Sequence, residues 1–155
     1  DLIKTNCIFI GKGPEKNKME QFCSKNGLID QVHFAGELYQ EESIAPFFMM
    51  SDLMISPNNV GLNCIHSLAY GVPVLTHNDF RYQNPEVESI VEGETGYYFE
   101  HDNMEDMLLK IRQFISRKID KKESLRNCQN KIKTIFNPKN QVECIIKAFD
   151  CGVKL

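Results

Sequence analysis

The chain of 155 residues has no apolar run that approaches the ~20 residues a membrane-spanning helix needs. It has no C-x-x-C pair, internal repeat, low-complexity tract or internal linker. The G-x-x-x-x-G-K-[ST] and G-x-G-x-x-G spacings are also missing, which excludes a P-loop ATPase and a standard dinucleotide fingerprint. Six scattered cysteines (Cys7, Cys23, Cys64, Cys128, Cys144, Cys151), several among apolar neighbours, argue against a disulfide framework or a zinc site. Reduced structural thiols in a cytoplasmic protein are expected instead. His33, His77 and His101 keep no ligand spacing with one another or with the cysteines, so no metal is assigned. No signal peptide stands at Asp1, and the targeting of a longer parent chain stays open.

With 42% hydrophobic and 25% charged residues, the composition is that of one soluble globular domain with a real core. The net charge of −3 is unevenly spread. Residues 110–139 hold ten Lys/Arg (Lys110, Arg112, Arg117, Lys118, Lys121, Lys122, Arg126, Lys131, Lys133, Lys139) against Asp120 and Glu123, a net +8 that leaves −11 elsewhere. A solvated helix face and an anionic membrane surface both fit such a stripe. Nucleic acid fits poorly, because the stripe has few aromatics and the remainder is acidic.

Strand-like and helix-like stretches alternate. Strands are expected at Cys7–Ile10, Val32–Phe34, Leu53–Ser56 and Val72–Thr76, and helices at Glu15–Asn26, Glu41–Met50 and Gly61–Tyr70. This βαβ rhythm predicts an α/β fold, a parallel sheet covered by helices on both faces. A short helix near Glu86–Val91, a turn at Glu92–Gly96 and a strand at Tyr97–Phe99 follow. Helices are then expected over Met104–Ile115 and Lys121–Phe136, with a last one opened by Pro138 and reaching about Phe149.

The most informative segment runs from Pro57 to Val74: strand end, glycine turn, helix, glycine stop, strand. Gly61 lets a ligand approach the backbone, and the helix that follows aims its unpaired N–H groups and positive dipole end at whatever binds there. Gly61, Leu62 and Asn63 are therefore candidate anion ligands. Gly11 and Gly13 flank Lys12, which can reach a phosphate, although Pro14 at a first helical position and Glu15 in a first turn also read as helix initiation. In parallel sheets ligands bind beyond the carboxyl ends of strands, where the Gly11, Gly36 and Gly61 loops are expected to converge.

The same residues carry a resemblance. Ile8-Phe9-Ile10-Gly11-Lys12-Gly13-Pro14-Glu15, Val32–Gly36, the Pro57–Val74 segment, Pro85-Glu86 and Glu92–Gly96 follow in the order seen in the donor domain of GT-B glycosyltransferases of the retaining "glycosyl transferases group 1" type. The chain resembles one half of that fold, a Rossmann-like domain. It looks like a fragment lacking the acceptor domain and the first strand and helix of the donor domain, and is expected to be inactive alone. In the family the final helix often crosses back to the first domain, so residues 138–155 are expected to be frayed or misplaced here.

The resemblance implies transfer of a sugar from a nucleoside diphosphate sugar, UDP- or GDP-linked, to a saccharide or lipid-linked acceptor, in polysaccharide or glycolipid synthesis. No metal or other cofactor is implied. The implied donor-binding residues are Gly11, Lys12, Gly13, Gly36, Glu37, Leu38, Asn58, Gly61, Leu62, Asn63 and His66, with the base read by backbone groups of Ala35–Leu38. Two positions depart from the pattern: the family's paired acidic residues are Asn58 and His66 here. Both keep polar recognition of sugar and ribose hydroxyls without negative charge, so the catalytic residue, the rate and the stereochemical outcome stay open. Asn78, Asp79, Pro85 and Glu86 follow the next strand and either face the donor sugar or serve as turn and helix-start residues. Peripheral contact with the inner face of the membrane would suit a lipid-linked acceptor. A nucleotide-sugar 2-epimerase domain and a non-catalytic nucleotide-binding module with a degenerate site are the alternatives.

Overall fold

The computed structural model describes residues 5–117 and 120–152, so Asp1, Lys118 of the basic stripe and residues 153–155 of the expected C-terminal segment lie outside the described residues. The chain divides into two compact units, residues 1–47 and 48–155.

In the first unit, β1 (Cys7–Ile10) pairs in parallel with β2 (Val32–Gly36), from Cys7 opposite Val32 to Ile10 opposite Gly36. Between them lies α1 (Lys16–Lys25). Glu15 is the N-cap and salt-bridges Lys18 at 2.9 Å, and Pro14 sits in the turn ahead of the helix rather than at its first position. The helix ends where Asn26 Nδ2 donates to the Phe22 carbonyl (2.8 Å) and Gly27 takes φ +67°, a left-handed stop. α2 (Glu41–Met50) begins with Glu41 and Glu42 at its positive dipole end and contains Pro46, directly ahead of the boundary between the units.

In the second unit, three parallel strands run in the order β3 (Met54–Ile55), β4 (Val74–His77), β5 (Gly96–Phe99). Val74 stands opposite both Met54 and Gly96. Every residue of β4 is buried, the signature of a central parallel strand covered on both faces. It begins two residues later than expected, because Val72 and Pro73 are consumed by the link from the helix stop at Gly71, and it extends to His77. α3 spans Leu62–Ala69, α4 Met104–Ser116, α5 Lys121–Thr134 and α6 Pro138–Gly152. Asn103 and Asp120 cap α4 and α5 by accepting from the N–H groups of Asp106 and Lys122, both at 2.9 Å. The expected short helix near Glu86 is a 3₁₀ turn at Pro85–Ser89, and a second, Phe80–Tyr82, lies in what read as loop.

The core of this unit joins Val60, Cys64, Leu68, Val74, Val87, Ile90 and Cys128. Cys64 and Cys128 are fully buried, and burial pushes both thiols up to about 11, so they act as small apolar groups. Cys7, Cys144 and Cys151 are exposed. α6 forms, but every residue from Gln141 to Cys151 is exposed, including apolar Ile145, Ile146 and Phe149. No helix of the described residues is long and apolar enough to cross a membrane.

Candidate functional site

In the first unit the two glycine loops after β1 and β2 are joined directly: the Gly11 N–H donates to the Gly36 carbonyl at 2.7 Å. Both glycines hold positive φ, +131° and +74°, which few side-chain-bearing residues adopt. No atom stands within 4 Å of where a Cβ would sit at Gly11, Gly13 or Gly36. Lys12 reaches across to Glu37, Nζ to Oε2 at 2.7 Å, and Tyr39 donates its hydroxyl to the other carboxylate oxygen at 2.6 Å. The Lys12 hydrogen bond first, and that of Tyr39 second, hold the Glu37 carboxyl below its ordinary range. Lys12 is thus held by a carboxylate that a phosphate would have to displace. Leu38 is half-buried, while Lys12, Glu37 and Tyr39 are exposed.

In the second unit β3 leads through Pro57 to the turn Asn58–Gly61 and into α3. Gly61 is the N-cap, one residue ahead of a helix that was expected to include it. A glycine has no side chain with which to cap, and Asn63 does the work instead: its Oδ1 accepts from the N–H groups of Gly61 (2.8 Å) and Cys64 (3.0 Å). One neutral oxygen therefore accepts from two N–H groups at the helix start, of which that of Cys64 also donates to the Gly61 carbonyl at 2.9 Å. Asn58, Leu62 and Asn63 are exposed around it, Leu62 at 76%. His66, in the following turn, packs its ring against Phe48 (centroids 4.8 Å apart) and Tyr70 (5.5 Å). It is half-buried in an aromatic cluster, of which the Phe48 contact is one that its spacing did not foretell.

The loop between β4 and the Pro85 turn supplies residues that the sequence did not single out. Gln83 Oε1 accepts from the Val60 N–H (2.9 Å), while its Nε2 donates to Thr76 Oγ1 (2.9 Å) and to the His77 carbonyl (3.0 Å). Asn84 Nδ2 donates to the Val60 carbonyl (2.8 Å), and Thr76 Oγ1 donates to the Asn58 carbonyl (3.0 Å). Sequence separations of 18 to 24 residues hide the contacts to Val60 and Asn58; the one available signal is two adjacent carboxamides ahead of a proline. Asp79 caps the Phe80–Tyr82 turn and binds the Arg81 guanidinium, which holds its carboxyl down to about 2. Pro85 and Glu86 open the next turn. Both acidic residues thus stand in turns, one of the two roles open to them from the sequence.

His77, fully buried at the end of β4, accepts from the Asp79 N–H on Nδ1 (3.2 Å). Its Nε2 has no hydrogen-bond partner among the described residues, and the His101 ring lies 4.4 Å away. Burial, and then His101, lower its pKa against the opposing pull of Asp79 and Asp102. The unfolded chain therefore takes up a proton near pH ~6.5 that the folded chain refuses, so stability is complete above that pH and declines as pH falls below it. The thermal midpoint is expected to drop between pH ~7.5 and ~5, and the drop to flatten in His77→Asn, which keeps an acceptor for Asp79 without a titrating ring. An unchanged slope in the variant would assign the acid sensitivity elsewhere.

Parallel strands joined by helices, with glycine loops at their carboxyl ends, define a Rossmann-like domain of the GT-B type. Residues 1–134 match the family described as "Glycosyl transferases group 1", and the chain belongs to that family. No curated protein matches it. Its fold is shared by Alr3699/HepE of Anabaena, solved in complex with UDP (TM-score 0.73, 17% identity, covering 95% of this chain and 41% of that one). A glycosyltransferase from Rickettsia africae is similar (0.74, 18%, 97% and 40%). So is the separately crystallised C-terminal domain of the group 1 family protein LpcC from Francisella tularensis (0.66, 17%, 86% of each chain). The chain spans about two fifths of the length of the first two.

Proposed function

We propose that this chain is the donor-binding part of a glycosyltransferase that moves a sugar from a UDP- or GDP-linked donor to a saccharide or lipid-linked acceptor. The observation that carries the reading is the convergence of the Gly61 and Cys64 N–H groups on a single acceptor position at the start of α3. A diphosphate oxygen at that position would gain charge-assisted hydrogen bonds and the helix dipole, which stabilise the departing nucleoside diphosphate. Family membership and UDP in the Anabaena relative support the reading. Gly11, Lys12, Gly13, Gly36, Glu37 and Leu38 would serve the nucleotide, and Asn58 and His66 would meet hydroxyls as neutral partners. No resident cofactor is invoked. A cytoplasmic role in polysaccharide or glycolipid synthesis follows, with the exposed basic residues of α5 (Lys122, Arg126, Lys133) available to an anionic membrane surface. The family match gives the epimerase alternative no support.

The test is an NMR titration with UDP, GDP, ADP and CMP in parallel, sensitive to affinities down to the ~mM range. Saturable shifts of the Gly61–Cys64 amides, and separately of Gly11 and Gly36, are expected for one nucleotide only. A folded sample silent to all four, in this chain and in a full-length protein that contains it, would replace the reading with a degenerate, non-catalytic module.

A further inference from the structure

We infer that Gln83, assisted by Asn84 and Thr76, is the positioning residue of the α3 helix start; this rests on the donor reading above. The argument begins with Val60, which is fully buried and has both of its peptide groups held by side chains from one remote loop. Only one orientation of the Gln83 carboxamide fits: the Val60 N–H demands an acceptor and the His77 carbonyl demands a donor, so Oε1 faces Val60 and Nε2 faces His77. Thr76 Oγ1 accepts from Gln83 Nε2 and donates to the Asn58 carbonyl, which ties the other end of the same turn to the same amide.

Asn84 departs from its local role. It occupies the N-cap of the Pro85–Ser89 turn, where an asparagine ordinarily accepts from the turn's own N–H groups, yet it makes no such cap bond. Its Nδ2 is directed instead at the Val60 carbonyl, 24 residues away. That carbonyl belongs to the peptide plane whose N–H is Gly61, and the Gly61 N–H points at Asn63 Oδ1. Fixing the carbonyl on one side of a planar unit fixes the direction of the N–H on the other. A Cβ at Gly61 would lie 3.7 Å from Asn84 Nδ2, so the brace runs alongside the glycine that a ligand would approach. The loop that supplies the brace is itself stiffened, by the cap of Asp79 on the Phe80–Tyr82 turn and by the Arg81 pair. The aim of the helix-start donors is thereby tied to the conformation of the segment that follows β4. A ligand that moves one must move the other.

The experiment compares the chain with Gln83→Met, which keeps side-chain length and removes every hydrogen bond, and with Gln83→Glu, which keeps only the acceptor for Val60. Amide resonances are recorded without ligand, and UDP affinity is measured well below each variant's thermal midpoint, so that a loss of global stability alone leaves the affinity unmoved. In Gln83→Met the Val60–Cys64 amides are expected to shift more than the rest of the chain, and UDP affinity to fall about ten-fold, with Gln83→Glu intermediate. UDP affinity within two-fold of the parent in Gln83→Met, or helix-start amides that do not move, would overturn the inference. If the parent binds no nucleotide, the donor reading fails on its own, and the ligand-free amide shifts still decide whether Gln83 sets the helix start.

Discussion

Alanine at Gly96 is expected to lower the thermal midpoint of the chain by about 10 °C or to leave its second unit unfolded. Gly96 opens β5 opposite Val74, in the register that pairs the central strand with its neighbour. A Cβ there would collide with the Val74 carbonyl oxygen and stand 2.8 Å from Ile90 Cγ2. The carbonyl belongs to a buried backbone and has no rotamer by which to retreat. Overpacking costs about 1–3 kcal/mol in ordinary cores, and for a chain of this size each kcal/mol moves the midpoint by about 2–4 °C. A clash with main chain belongs at or beyond the upper end of that range. Gly13→Ala, with an ordinary φ and nothing within 4 Å of its Cβ, serves as the thermal control. Equal midpoints for the two variants, by calorimetry or circular dichroism, would show that the β4–β5 register adjusts more freely than this packing allows.

Valine at Gly61 is expected to weaken nucleotide binding about 100-fold or beyond detection, a loss of roughly 3 kcal/mol, while leaving the fold intact. The position has φ −142°, outside the left-handed region that favours glycine. A single Cβ would make ordinary contacts, 3.7 Å from Asn84 Nδ2 and 3.8 Å from Asn63 Oδ1. Alanine should therefore be close to silent thermally, with a small loss of affinity. The two further methyl groups of valine would crowd the space around the Asn63 oxygen, where the donor reading proposes the anion. Lys121→Ala is the contrast. Its ion pair with Asp52 (2.7 Å) is about two-thirds exposed on both sides, and such pairs contribute about 0–1 kcal/mol to stability. Binding by the lysine variant should match the parent. Similar losses from Gly61→Val and Lys121→Ala, measured by the same titration, would remove the helix start from the site.

What the sequence made legible is what depends on near neighbours. β1 and α2 begin and end where the apolar pattern and the Glu41-Glu42 start predict. The α3 start was readable because a glycine turn between a strand and an amphipathic stretch is a local signal. The errors are also local in cause. Pro14 and Glu15 read as a first helical turn, whereas Glu15 is the N-cap, paired with Lys18, and Pro14 lies in the turn ahead of it. The Phe80–Tyr82 turn is three residues long and carries no periodicity to detect. The brace on Val60 was invisible for another reason: hydrogen bonds from Gln83 and Asn84 span 23 and 24 residues, and a carboxamide side chain has no pattern that announces its partner. Lys12 was picked out as a phosphate ligand from its glycine neighbours, but that it rests on Glu37 depends on the pairing of β1 with β2. His66 matched a ribose-binding position by spacing alone, while its packing on Phe48 is a tertiary fact and that on Tyr70 a helical i,i+4 contact.

The carboxamide of Asn63, which caps the helix start in place of the missing side chain of Gly61, makes occupancy of this site an exchange rather than an addition. An arriving phosphate finds its donors already engaged, and the net gain is the margin by which a charged oxygen outbids a neutral one. Uncharged mimics of a diphosphate would hold no such margin. On the proposed donor reading, Asn63 would thereby confer selectivity for anions, and the same side chain, swinging back, would help to release a spent nucleotide.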